Sequence, residues 1–470
     1  MDFLKRNYIF IIPAIAFLVI NVGLDFDGFY GQDSYEYLRY TEALTNYYTN
    51  GVDPGDYFWP VMYPLISSIF TLVIDSKLVL VLISFLSFLG IIYFSRKILE
   101  KLYPNGNSDE SANLYLLVTL IVSPYFFRSS IIGMSDMFAC FFLILALYSL
   151  LIFKDAKLPK WAVLFVASSV LAFMTRYVAA VILIPFTVYF IYLIISNKKW
   201  WYLILSAVVA IVFTLPHLLI RGADSTSFLS HEGFLAWSPL NFFQSSFATP
   251  EGVQSHSYIN LLYGLSPIIH PGYLLVGLGL LLFSRYRIQQ SFASLIFIAV
   301  VLYLFFIVGV RTQNMRFFIL VFPFVILLLF PAFLRARDKL NRGFFTLGIS
   351  LALLAQVGYF SLSFSKFQVH HTLEKNVAMN IVELDIKEPI YAFSLDVSLP
   401  HRGVENEFRN MWIKVYDDFQ SGAYVLFNEE KLAEQWQDQP PMQNWNKLNS
   451  DHSLIIVSEY DDGWKLYRIE

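Results

Sequence analysis

The chain has 470 residues, of which 57% are hydrophobic and only 15% charged, with a formal net charge of −3. Soluble globular domains carry about 25% charged residues, so the composition excludes a soluble enzyme and a nucleic-acid-binding protein and describes an integral membrane protein. The single cysteine, Cys140, lies in an apolar run, which excludes an intramolecular disulfide.

In chain order, Lys5 and Arg6 precede an apolar run at 8–24. No small-residue cleavage site follows, so the run reads as a retained signal anchor. A hydrocarbon core of roughly 30 Å requires about 20 apolar helical residues. On that rule further spans are expected near 78–95, 112–127, 134–153, 160–175, 177–196, 200–220, 271–284, 291–310, 316–333 and 343–364. That gives about eleven transmembrane helices. The apolar pieces 60–74 and 258–269 read as re-entrant or interfacial helices.

Positive charge sets the expected sides. Lys5, Arg6, Arg96, Lys97, Lys101, Lys154, Lys157, Lys160, Lys198, Lys199, Arg285, Arg287, Arg335, Arg337, Lys339 and Arg342 fall on one side. The other holds Arg39, Lys77, Arg128, Arg176, Arg221, Arg311 and Arg316. The positive-inside rule then predicts a cytoplasmic N-terminus, outer loops at 25–77 and 221–270, and an outer C-terminus. All the histidines (His217, His231, His256, His270, His370, His371, His401 and His452) fall on this outer side or at outer span ends. So do Asp25, Asp27, Asp33, Asp53, Asp56, Asp136, Asp224 and Glu232. The predicted span interiors contain no charged residue, which argues against an ion-coupled transporter.

Near residue 366 the composition turns polar. Strands are expected at 389–395, 423–427 and 453–457, and helices at 405–418 and 428–437. The fold class is therefore an all-α polytopic membrane domain over 1–365, followed by a small α/β domain over 366–470.

The residues that suggest chemistry lie at the outer boundary. Asp33, in GQDSYEYLRY, opens an expected helix at 34–48 whose stripe of Tyr37, Tyr40, Leu44, Tyr47 and Tyr48 would face lipid. Asp33 and Glu36 also have the spacing of a capping box, and Asp136 beside Ser135 can be read as an N-cap. No histidine pair has a metal-ligand spacing, and no phosphate-binding glycine loop or dinucleotide fingerprint is present.

Several segments, in order, resemble the GT-C superfamily of membrane glycosyltransferases, which includes protein O-mannosyltransferases, the lipid A aminoarabinose transferase and bacterial polyprenyl-phosphate-sugar transferases. These are GQDSYEYLRY after the first span, the Pro-rich aromatic entry WPVMYPLISSIF (59–70), RSSIIGMSDMFACFFLILALY (128–148) and MRFFILVFPFVILLL (315–329). Asp136 is followed by Met rather than the family's usual Pro. The resemblance covers most of 1–365. It implies inverting transfer of a sugar from a polyprenyl-phosphate donor to a lipid, glycan or protein acceptor at the outer face of the plasma (inner) membrane. No cofactor is expected, with a divalent metal as the minor alternative. Asp33 would be the general base, and Asp136 would assist it. Arg316, followed by Arg311, Arg176 and Arg128, would bind the donor phosphate. Tyr37, Tyr63 and Glu36 would line the substrate site. A ligase or polymerase acting on lipid-linked oligosaccharide, or a non-enzymatic flippase, are the rival readings.

Overall fold

The computed structural model describes residues 2–104, 109–222, 236–249, 252–255, 257–284 and 291–470. Asp224, His231, Glu232, His256, Arg285 and Arg287 lie outside the described residues.

The N-terminal part is helical: α1 (Asp2–Leu18), α2 (Gly31–Asn50), α3 (Met62–Phe70), α4 (Ser76–Leu102), α5 (Asp109–Leu116), α6 (Pro124–Ser130), α7 (Ser135–Ala156), α8 (Pro159–Thr175), α9 (Ala179–Ser196) and α10 (Trp201–Arg221). A hairpin of β1 (Ser246–Thr249) and β2 (Gly252–Ser255) follows. After it come α11 (Asn260–Tyr263), α12 (Ser266–Ile269), α13 (Gly277–Leu282), α14 (Ser291–Val308), α15 (Phe322–Lys339) and the long α16 (Arg342–Glu383).

Five of these helices are long and apolar enough to cross a membrane, or six if α5 and α6, bent by 82°, form one broken span. Three shorter apolar helices, at Asn7–Gly23, Pro159–Thr175 and Phe292–Val308, match other expected spans. The expected span at 271–284 is not one continuous helix: only Gly277–Leu282 is helical. Pro271, Gly272, Gly277 and Gly279 weaken helix formation there. Gly277 also packs so closely that a Cβ on it would lie 1.8 Å from the Ile268 carbonyl oxygen. The pieces expected to be re-entrant or interfacial form the short helices α3, α11 and α12.

Helix α7 is the centre of the bundle, with 83% of its apolar window buried, whereas α10 and α16 bury only 11% of theirs. Leu351, Leu354, Val357, Leu362 and Val369 leave an apolar face of α16 exposed, as a lipid-facing helix does. At 1.5 Å per residue α16 is roughly 60 Å long, about twice a hydrocarbon core. The change of composition at 366 therefore falls inside one unbroken helix, which serves both as a span and as the first helix of the C-terminal domain.

That domain is a five-stranded sheet in the order β4 (Phe408–Asn410), β3 (Ile390–Ala392), β5 (Tyr424–Phe427), β7 (Lys465–Ile469), β6 (Leu454–Glu459). Strand β3 pairs in parallel with β4 and β5, and β7 is antiparallel to β5 and β6. Alternating side chains face opposite sides of a sheet. Ile390 and Ala392 accordingly pack with Leu373, Val377 and Ile381 of α16. Tyr391 packs on the other side, with Leu432 and Trp445 of α17 (Glu429–Trp436) and α18 (Pro440–Asp451). The three expected strands and the 428–437 helix are present. The helix expected at 405–418 is not: that stretch contains β4, because Ile390 N–H donates to Glu407 O and Met411 N–H to Ala392 O, both at 2.9 Å. Ladder pairing overrides the local helical pattern.

Candidate active site

Asp33 and Asp136 stand 103 positions apart in the sequence, and local geometry brings their loops together. Gly28 takes a left-handed φ of 82°, and a Cβ on it would strike Val81 Cγ2 at 2.4 Å. Its carbonyl accepts from Gly133 N–H at 2.9 Å, tying the first loop to the turn before α7. The Tyr37 hydroxyl and Ser135 Oγ are hydrogen-bonded at 2.7 Å, fastening α2 to the first turn of α7.

Neither carboxylate caps a helix. Tyr30 is the N-cap of α2 and makes no side-chain cap bond, while Asp33 sits in the first turn. Glu36 is bound to Arg39 Nε at 2.7 Å, so the capping box is not formed. Met134 precedes α7 as its N-cap, with Asp136 inside the first turn. Both carboxylates instead meet Arg316. Its Nη1 donates to Asp33 Oδ2 at 2.5 Å, and its Nε donates to Asp136 Oδ2. Asp136 Oδ1 receives Arg176 Nη2 at 2.6 Å. The result is a continuous line of alternating charge, Asp33–Arg316–Asp136–Arg176.

Burial differs along this line. The Asp136 side chain is 4% exposed and that of Asp33 is 39% exposed. Both oxygens of Asp136 are engaged, whereas Asp33 Oδ1 has no bond among the described residues. Arg316 Nη2 and Arg176 Nε are buried donors with no acceptor among the described residues. An orphaned buried donor costs about 1–3 kcal/mol, and both of these belong to arginines that meet the same carboxylate, Asp136.

Side chains that the sequence did not single out hold Arg316 in place. It lies in a 3-10 turn, Met315–Ile319, where Asn314 Oδ1 accepts the Arg316 N–H at 2.9 Å. The Tyr263 hydroxyl donates to Asn314 O at 2.7 Å and accepts from Asn314 N–H at 2.9 Å. Tyr273 donates to Met315 O. These are buried tyrosines in a segment whose only sequence signal was aromatic residues near span ends.

The remaining expected site residues fall elsewhere. Tyr63 is buried, with its hydroxyl donating to Leu80 O at 2.8 Å. Tyr37, Tyr40 and Leu44 are buried in the protein, which corrects the expectation of a lipid-facing stripe; only Tyr47 and Tyr48 are exposed. Glu36 and Arg39 form a partly exposed pair beside Asp56 O. Arg311 lines an open groove of about 540 Å³ with Phe243, Gln244, Phe247 and Ala248. Arg128 is absent from the ion-pair line and is flanked by the rings of Tyr125 and Phe367. No group of three metal-ligand side chains is present among the described residues.

A second ionic cluster joins α2 to the C-terminal domain. Arg402 Nη2 donates to Glu374 Oε2 and to the Tyr35 hydroxyl, both at 2.6 Å, and Nη1 reaches Asp27 Oδ2 at 3.2 Å. His371 Nδ1 lies 3.1 Å from Asp27 Oδ1. Tyr35, two residues from Asp33, also donates to Glu374 Oε2 at 2.6 Å.

Residues 59–220 match the model of the dolichyl-phosphate-mannose-protein mannosyltransferase family. That segment contains Asp136 and Arg176 but neither Asp33 nor Arg316. The whole chain is similar in fold to two crystal structures of ArnT from Cupriavidus metallidurans, with 97% of each chain covered. For the one bound to undecaprenyl phosphate the TM-score is 0.60 at 14% identity. For the apo state it is 0.59 at 14% identity. No curated protein matches the sequence.

Proposed function

We propose that the chain, a membrane glycosyltransferase of the GT-C superfamily, transfers a sugar from a polyprenyl-phosphate donor to an acceptor hydroxyl by single displacement at Asp33. The observation that carries the reading is the line Asp33–Arg316–Asp136–Arg176 with its two orphaned donors. The lipid phosphate on which the similar ArnT structure was captured has the charge and the oxygen acceptors that these guanidiniums lack.

The chemistry follows from that arrangement. The donor phosphate enters beside Arg316 Nη2 and Arg176 Nε, and Arg316 shifts its charge from Asp33 onto the phosphate. Asp33, released from its ion pair, takes the proton of the acceptor hydroxyl as that oxygen attacks the anomeric carbon. The bond from that carbon to the phosphate oxygen breaks, and the electron pair leaves with the lipid phosphate, which the arginines stabilise. One displacement inverts the anomeric centre. Asp136, with both oxygens engaged, orients the two arginines and does not move a proton. The reading calls on no cofactor, and it places the site on the lysine-poor side, facing outward from the cytoplasm.

Arg316→Ala is expected to raise the donor KM by roughly 10- to 100-fold, the equivalent of the 1.5–3 kcal/mol of a charged hydrogen bond. The acceptor KM should change little. Arg316→Lys should recover part of the loss, since lysine carries the charge without the planar fork. Purified protein given labelled polyprenyl-phosphate sugars tests the reaction itself. Transfer to an acceptor is the expected result; movement of intact donor across the bilayer, or chain growth on the lipid, would replace this reading with a flippase or a polymerase.

A further inference from the structure

The first turn of α2 is held from two sides. Side chains two apart on a helix point about 200° from each other, so Asp33 and Tyr35 face opposite ways. Asp33 meets Arg316, its only side-chain partner among the described residues, at 2.5 Å. Tyr35 meets the C-terminal domain. Its hydroxyl donates to Glu374 Oε2 and accepts from Arg402 Nη2, both at 2.6 Å. Burial and then the Glu374 carboxylate raise the Tyr35 pKa, so the hydroxyl keeps the proton it donates.

The chain leading into that turn is fastened to the same elements. Asp25 O lies 2.9 Å from His371 Nε2, and Asp25 Oδ2 receives Lys375 Nζ at 2.6 Å. Asp27 Oδ2 receives Arg402 Nη1 at 3.2 Å. The ring of Tyr30, the N-cap residue, lies 3.7 Å from that of Phe367, centre to centre. His371, Lys375 and Phe367 all belong to α16. Residues 25–35 are therefore anchored on α16 and Arg402, and Asp33 reaches from that anchor to the ion-pair line.

The two grips act at different times. In the transfer reaction proposed above, Arg316 leaves Asp33 for the donor phosphate. The grip on that side then ends, while the bonds of Tyr35 do not involve the phosphate and persist. A general base must stay within hydrogen-bond reach of the proton it takes, and a displacement of about 1 Å can cost roughly 100-fold in rate.

We propose that Tyr35, held between Arg402 and Glu374, is a positioning residue for Asp33, so that docking of the C-terminal domain sets the general base. The inference rests on the base role proposed for Asp33.

Tyr35→Phe tests it, because it removes the hydroxyl and keeps the ring. Glu374 Oε2 retains Arg402 Nε and Nη2, and Oε1 retains His370, so no charge is stranded and the fold should survive. The purified full chain is given a labelled polyprenyl-phosphate sugar, with detergent-extracted membranes as the source of acceptor. The kcat of Tyr35→Phe should fall roughly 10- to 100-fold. The donor KM should stay within about twofold, since Arg316 and Arg176 are held by Asn314 and Asp136. In the Asp33→Asn background, Tyr35→Phe should slow transfer no further, because residues that act as one unit are not additive. A merely structural role would slow both backgrounds alike. Arg402→Lys keeps the charge without the planar fork. It should give a smaller loss of kcat that also vanishes with Asp33→Asn, and it serves if Tyr35→Phe does not fold. Full turnover by Tyr35→Phe, or equal slowing in both backgrounds, overturns the inference and leaves the reading of the site intact. Near-normal turnover by Asp33→Asn, or no transfer by the wild-type chain, overturns both.

Discussion

Asp33→Asn is expected to give a folded, donor-binding protein whose transfer step is at least about 100-fold slower, the range a positioned general base supplies. Folding should survive because Asp33 is not the cap of α2, and the Tyr30 N–H is satisfied by Ser34 Oγ at 2.9 Å. The amide oxygen of asparagine can still accept from Arg316 Nη1. What the variant lacks is a group able to take a proton. Among the carboxylates of the line only Asp33 has a free oxygen and partial exposure, so only it can face a polar acceptor. Asp136→Asn provides the contrast. It should loosen both arginines and raise the donor KM more than it lowers kcat. The measurement is single-turnover transfer with donor binding assayed separately; turnover of Asp33→Asn within a few-fold of wild type would remove Asp33 from the chemistry.

The membrane class and the small C-terminal sheet domain were legible in the sequence, and Asp33, Asp136 and Arg316 were singled out one by one though not as partners, because each leaves a local mark. Long apolar runs mark helices, and an acidic residue or arginine at the end of one stands out against them. The GT-C resemblance then supplied the order in which those marks recur. What was not legible depended on contacts distant in the chain. Tyr37 and Tyr40 have the spacing of an interfacial stripe, yet they turn inward because Ser135, Tyr57 and Trp59 meet them. A periodic face reports that it is buried, not what buries it. The stretch 405–418 became partly a strand because β3 offered an open edge. Arg402, in a short polar loop, had no pattern at all, and its partners are Asp27, Tyr35 and Glu374 from three other segments.

Arg402→Ala is expected to be the most destabilising of these substitutions, by about 3–5 kcal/mol, because removing one partner of a buried ion pair strands the other. The side chains of Arg402 and Glu374 are 6% and 2% exposed, so water cannot replace the lost bonds. The loss should appear as a lower unfolding temperature and as earlier proteolytic release of the C-terminal domain. Acid should act on the same junction. Burial by itself raises the Glu374 pKa, but His370, Arg402 and Tyr35 outweigh it and the net shift is below the usual 4.5. Asp27 is likewise lowered, with His371 and Arg402 overcoming its burial. A depressed carboxylate contributes stability that is present above its unfolded pKa and lost as pH falls through the folded one. The junction should therefore hold at neutral pH and weaken below about pH 4, and Arg402→Ala should flatten that dependence. Replacing the more buried pair with apolar residues, Arg402→Met with Glu374→Leu, should restore part of the stability, since Glu374 is then no longer stranded while the half-buried Asp27 keeps only His371. If it does, a remaining defect in turnover would measure what Arg402 does for Asp33 through Tyr35, two residues away on the same helix. An unchanged unfolding temperature in Arg402→Ala would show that the apolar contacts of α16 with the sheet carry the domain without the ion pairs.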